Sequence, residues 1–111
     1  MELNSEQVLV RIYTGESDKI GGKPLHQALV EMLRREKIRG ATVIRGIIGF
    51  GARSHLHTSN ILRLSQDLPI IIEVVDTKEN IERVLPEIER SVGDGLITIE
   101  TVRVIRYGTK T

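Results

Sequence analysis

"LPIIIEVVD", Leu68 to Asp76, is the stretch that decides the fold. It is short and β-branched, and it is bounded by Pro69 at one end and Asp76 at the other, as a strand would be. Its side chains divide into Ile70, Ile72 and Val74 on one side and Ile71, Glu73 and Val75 on the other. Successive residues of a strand point to opposite faces. Both faces therefore carry large apolar groups, whereas a strand with one wet face alternates more cleanly. The stretch predicts a sheet that is covered on both sides.

The same pattern appears near the start. "QVLVRIYT", Gln7 to Thr14, alternates Val8, Val10 and Ile12 with Leu9, Arg11 and Tyr13, and it ends at Gly15. Arg11 and Glu73 belong to the more polar sets of two strands that this topology makes neighbours. They are expected either to pair or to reach solvent at the rim, because a buried charge needs a partner.

Between these strands, "GESDKIGGK" reads as a Gly-rich loop, and Pro24 stands at the first position of a helix. Leu25, Ala28, Leu29, Met32 and Leu33 form one apolar stripe at helical spacing. Gly40 reads as the C-cap or turn glycine. "ATVIRGIIGF" is the second strand, where Gly46 suggests a bulge or a close backbone approach. "ILRL", Ile61 to Leu64, reads as the start of the third strand, which Leu68–Asp76 completes.

Asp76 and Glu79 form an acidic capping box ahead of a second stripe, Ile81, Val84, Leu85 and Ile88. Pro86 lies inside that stripe and predicts a kink or a split. "VGDG" is a turn. "LITIETVRVIRY" is the last strand, and its alternation slips between Ile99 and Val102 as a bulge would make it do.

The order is β-α-β-β-α-β. It predicts an α+β, ferredoxin-like domain: an antiparallel four-stranded sheet with two helices on one face. One domain spans residues 1–111. The other face has no cover of its own and is expected to pack against further subunits.

Composition narrows the function. Charged residues make up 28% of the chain, yet the formal net charge is only +1, so no global field draws nucleic acid or an acidic membrane. Phe50, Tyr13 and Tyr107 are the only aromatic residues, too few for a base-stacking platform. No cysteine is present, which excludes disulfides and thiolate chemistry. No signal-peptide pattern opens the chain and no apolar run approaches a membrane span. With a mean hydropathy of -0.10, the expectation is a cytoplasmic protein that does not itself span a membrane.

"IRGATV", "GFG", "LPIIIEVVD" and "VGDGLI" occur in the order seen in PII-type nitrogen-signalling proteins, which this chain resembles. "RIYTGESDK", "GKPL", "GATVIRGIIGFG", "SHLHT" and "LRLSQDLPIIIEVVD" are more similar still to a PII-like family of unknown function, domain of unknown function number 190. The resemblance covers essentially the whole chain. It implies a homotrimer with a small anionic ligand, an adenine nucleotide as in PII proteins, in clefts between subunits. It also implies a T-loop, residues 51–68 here, that responds to the ligand and docks on a target protein. Gly93, Asp94 and Gly95 would be the phosphate-facing loop.

The chain departs from the PII pattern at two lysines that address phosphates: Leu96 follows Gly-Asp-Gly, and Ile70 follows Leu-Pro. The loop has no tyrosine to accept a nucleotidyl group, and one extra residue separates "ATV" from "GFG". These departures favour a less charged ligand than a triphosphate.

The candidate ligand-binding residues are Gly49, Gly51, Arg53, Gly93, Asp94, Gly95, Arg103 and Arg106. Consecutive amides of the Gly-Asp-Gly turn could cradle an anion, although such a turn also simply feeds a strand. Gly46, Gly49 and Gly51 do not have the dinucleotide spacing and read as a hinge. Arg103 and Arg106 either contact phosphate or keep an edge strand soluble. His55, His57 and Ser59 are candidates for loop and partner contacts. His55 and His57, two apart, could share a metal only with a third ligand, from His26, Asp67 or a symmetry mate, and nothing in the sequence names one, so no metal site is assigned. No nucleophile and base are placed together, and an enzyme is not expected. The alternatives are a metal-binding or metal-tolerance trimer of the CutA kind and a small enzyme on the same fold.

Overall fold

The computed structural model describes residues 5–50 and 67–107. Along the chain run β1 (Ser5–Gly15), β2 (Lys19–Ile20), β3 (Lys23–Pro24), α1 (Leu25–Arg35), β4 (Ala41–Arg45), β5 (Pro69–Asp76), α2 (Lys78–Val92) and β6 (Leu96–Val104). The main sheet has the order β4-β5-β1-β6. β5 is antiparallel to both β4 and β1, and β6 is antiparallel to β1. β1–α1–β4 and β5–α2–β6 are therefore two split βαβ units, interleaved as the sequence order predicts.

Register decides which side chains meet. Val10 lies opposite Val74 and Ile99, and Ile12 lies opposite Ile72 and Ile97. These residues face the helices, where Val10, Ile12, Ile70, Ile72 and Val74 join Leu25, Leu29, Met32 and Leu33 of α1 and Ile81, Val84, Ile88 and Val92 of α2 in one core. Both apolar stripes read from the sequence point inward. Ala28 and Leu85 sit at their margins, partly exposed.

On the opposite face Arg11 lies directly across from Glu73. Its Nε donates to Glu73 at 3.0 Å, and its Nη1 donates to Glu100 on β6 at 3.0 Å. Of the two outcomes left open for these residues the ion pair forms, and Glu100 adds a second carboxylate. The two carboxylates raise the Arg11 pKa, the Glu73 hydrogen bond being the larger cause. Around this ionic group Leu9, Tyr13, Ile71 and Val75 are half-buried, and Ile44 and Leu96 are exposed.

Several local expectations are corrected. The Gly-rich loop contains a small hairpin: β2 pairs with β3, and Gly21 and Gly22 both have positive φ, as a two-residue turn of that hand requires. Pro24 is the residue before α1 rather than its first. The left-handed residue after α1 is Lys37 at φ 65°, not Gly40. Lys37 donates to Arg34 and Ile38 to Leu33, a Schellman closure that buries Ile38 against the core.

The cap of α2 is Thr77, whose side chain accepts from the Asn80 amide at 3.1 Å. Asp76 is fully buried and accepts from the backbone N–H groups of Arg39 and Thr77 and from the side chain of Asn80. α2 runs unsplit through Pro86, which lies on its exposed side. β6 pairs with β1 without a break from Leu96 to Val104, so the slip in its pattern is a change of side-chain type and not a bulge.

β4 stops at Arg45. Gly46 fulfils the close-approach reading: its N–H donates to Pro69 O at 2.7 Å, and a Cβ there would lie 2.7 Å from Pro69 Cγ. Residues 61–64 lie outside the described residues. Among the described residues no helix is long and apolar enough to cross a membrane.

Candidate ligand site

The antiparallel register gathers one set of candidates at one end of the sheet. β4 ends, β5 begins, β1 ends and β6 begins there, with Arg45 opposite Ile70, Thr14 opposite Ile70 and Tyr13 opposite Leu96. Gly46 and Gly49 follow β4, and Gly93–Gly95 precede β6. Gly49 packs tightly, since a Cβ would lie 3.0 Å from Pro69 Cγ. Gly51, Arg53, His55, His57 and Ser59 lie outside the described residues.

The Gly-Asp-Gly turn closes α2. Gly93 caps the helix at φ 65°, its amide donating to Glu89 O at 3.3 Å, while the Gly95 amide donates to Val92 O at 3.4 Å. Both glycine amides thus turn back on the helix, whose carbonyl end carries partial negative charge. An anion at this turn requires those two long bonds to be exchanged for bonds to the ligand. Gly95 also has a packing reason to be glycine: a Cβ would run into Val92 Cγ1 and lie 2.7 Å from the Tyr13 carbonyl oxygen. Beside the turn is an open groove of about 470 Å³ lined by Leu85, Glu89, Gly93, Gly95, Ile97 and Ile99.

Arg103 and Arg106 are elsewhere. Arg103 lies opposite Glu6, near the start of β1, at the other end of the sheet. From Leu96 to Arg103 is seven residues of strand, on the order of 23 Å at the usual rise. Both arginines are exposed. The structure does not bring them to the glycine turn.

That far end has its own construction. Tyr107 reaches past β1 to β5, its hydroxyl donating to Val75 O at 2.5 Å. The Arg39 guanidinium stacks over the Tyr107 ring, 4.5 Å from its centroid. Arg39 Nε is also 3.9 Å from buried Asp76. The sequence reading found no role for Arg39 or Tyr107, because nothing local marks two residues 68 positions apart (39 to 107) as partners.

At the near end the sequence also leaves Arg45 and Glu16 without a role, and it offers Asp67 only as a third metal ligand. Arg45 contacts the Glu16 carboxylate through Nε at 3.1 Å and Nη2 at 3.3 Å. Asp67 accepts from the Ser17 N–H at 3.0 Å, and the Glu16 N–H donates to Leu68 O at 2.8 Å. The acidic "GESD" turn thus clips together the end of β4 and the start of β5. Its only sequence signal was three acidic or hydroxyl residues after a glycine. Among the described residues no cluster of three His, Cys, Asp or Glu is placed to hold a metal.

Comparison with known proteins adds the context. The model of the family DUF190, described as Uncharacterized ACR, matches residues 7–104. A UPF0166 protein of Methanocaldococcus jannaschii is 42% identical over 102 residues, covering 91% of this chain and 94% of that one. Among solved structures, CPII from Thiomonas intermedia K12 bound to ADP, AMP and acetate has a TM-score of 0.65 at 16% identity, over 96% of this chain and 94% of that one. The same protein, a nitrogen regulatory PII-like protein, bound to ADP, AMP and bicarbonate has a TM-score of 0.60 at 17% identity, over 92% and 91%. The PII-like, ferredoxin-like fold is thereby shown.

Proposed function

The chain belongs to the DUF190 family, and on that footing we propose that it is a PII-like regulatory protein and not an enzyme. One domain over residues 1–111 assembles as a homotrimer in the cytoplasm. A small anionic ligand, an adenine nucleotide, binds in clefts between subunits, and residues 51–68 carry the signal to a target protein. The similar CPII structures with ADP and AMP support the ligand class.

The observation that carries this reading is the division of the candidates between two ends of one sheet. Gly49 and Gly93–Gly95 belong to one end, Arg103 and Arg106 to the other. A cleft that uses both sets needs two protomers. The half-buried apolar face around Arg11 supplies a surface for them to share.

Ile70 stands where PII proteins have a phosphate-directed lysine, and it is buried in the core at 3% exposure. It has no charge to offer, and neither has Leu96. A third phosphate would lack a cation at both places, so the monophosphate should bind more tightly than the triphosphate.

Two measurements test the proposal. Sedimentation at micromolar concentration should give about three times the 12.5 kDa chain mass. Calorimetry should show AMP binding more tightly than ATP. A clean monomer removes the inter-subunit cleft, and absence of binding by AMP, ADP and ATP removes the nucleotide.

A further inference from the structure

We infer that the Arg45 guanidinium is a seat for an oxyanion, and that the Glu16 carboxylate fills this seat as an internal stand-in until a ligand displaces it. The inference rests on the anionic ligand class proposed above. It adds a binding residue and a built-in competitor.

The geometry is that of recognition. Arg45 presents Nε and Nη2 side by side, and each meets one oxygen of Glu16, at 3.1 and 3.3 Å. This planar, two-pronged contact is the one guanidinium offers to carboxylate or phosphate. It sits at the sheet end that also holds Gly46, Gly49 and the Gly93–Gly95 turn. The Arg45 side chain is 53% exposed, so an ion from solvent can reach it.

The pair is also dispensable for holding the turn. Backbone groups already do so: Glu16 N–H to Leu68 O, Asp18 N–H to Gly15 O, Leu25 N–H to Asp18 O and Gly46 N–H to Pro69 O. Asp18 accepts from the Gly15 N–H and Asp67 from the Ser17 N–H, so these two neighbouring carboxylates are engaged with backbone. Glu16 is left as the carboxylate that can exchange with a ligand while the turn stays closed. A purely structural ion pair and a competitor make opposite predictions. If the pair only supports the site, breaking it from either side weakens binding. If Glu16 competes, neutralising it strengthens binding while neutralising Arg45 weakens it.

The test follows the Arg45 Nε–H signal by nuclear magnetic resonance during titration with sodium acetate, inorganic phosphate and AMP, with affinities from calorimetry. The signal should shift saturably with at least one probe, and the probe that acts names the source of the oxyanion. An exposed ion pair leaves the seat open for a minority of the time, so Glu16→Gln should tighten that probe about two- to sixfold. Arg45→Gln should weaken it about tenfold or more, as loss of a charge-assisted contact does. Retained exchange protection of the Ser17 amide shows that Glu16→Gln keeps the turn.

An Arg45 signal indifferent to all three probes overturns the inference, as does a Glu16→Gln protein that binds no better than the parent. If AMP binds without moving Arg45, this inference falls and the nucleotide reading stands. If acetate or phosphate occupies Arg45 but no adenine nucleotide binds, the reverse holds.

Discussion

Replacing Asp76 probes the far end of the sheet most directly. Its carboxylate is fully buried, with Oδ2 accepting from the Arg39 N–H at 3.0 Å. Oδ1 accepts from the Thr77 N–H at 2.7 Å and the Asn80 side chain at 2.9 Å. Asp76→Ala strands all three donors. Hydrogen bonds to a charged acceptor contribute roughly 1.5–3 kcal/mol each. Arg39, Thr77 and Asn80 can recover some hydration at the margin, so the three do not sum. The expected loss is about 3–5 kcal/mol. Asp76→Asn keeps the volume. Its one oxygen can serve Thr77 and Asn80, but its amide then faces the Arg39 N–H donor to donor, at a cost of roughly 1.5–3 kcal/mol. Urea unfolding at one fixed protein concentration measures both. Near-ultraviolet circular dichroism should change in parallel, because Tyr107, one of only two tyrosines, rests on Arg39. If Asp76→Asn is within about 0.5 kcal/mol of the parent, the buried carboxylate is not the acceptor that organises this end.

Three further outcomes are expected. Arg11→Ala should destabilise more than Glu73→Ala or Glu100→Ala, because Arg11 serves both carboxylates, and the Arg11/Glu73 double-mutant cycle should be non-additive; additivity denies their coupling. Gly95→Ala should lower stability by about 1–3 kcal/mol, since its Cβ meets the Tyr13 carbonyl, and a neutral result in denaturant unfolding refutes that close approach. Glu31 has its pKa lowered by Lys23 first and Gln27 second, so the support it gives the hairpin is present above the ordinary carboxylate pKa. That support is lost as pH falls through the lowered one. The protection of the Lys23 amide, taken relative to its intrinsic exchange rate at each pH, should fall only in acid, and Glu31→Gln should remove that dependence.

The faces of the strands were legible because period-two alternation survives in any context: Ile70, Ile72 and Val74 point to the core and Glu73 to Arg11, as the alternation says. The helices were legible for the same reason at their own period. What failed was chemistry decided by one position. Asp76 looks like a cap, but its side chain is drawn into the core by donors from Arg39 and Asn80, and the next residue caps instead. Gly40 looks like the helix stop, but the chain turns three residues earlier because Ile38 can then bury beside Leu33. Gly21-Gly22 was a hairpin signal between strands too short to show a period. The Gly93–Gly95 turn was found, yet its tie to Tyr13 was not, because register between β1 and β6 is a tertiary fact. Arg45 and Glu16 lie 29 positions apart, and no local pattern couples them.

The placement of Gly93–Gly95 and Arg103 at opposite ends of the β1–β6 ladder makes the proposed cleft divisible between genes. A chain spoiled only at its glycine end still offers intact arginines to its neighbour, and a chain spoiled at its arginines still offers an intact turn. Two separately inactive variants, unfolded together and reassembled in equal amounts, would then rebuild about a quarter of the clefts from two good halves. A cleft contained within one protomer would recover none. Intragenic complementation, ordinarily a geneticist's observation, thus becomes a ruler laid along one strand.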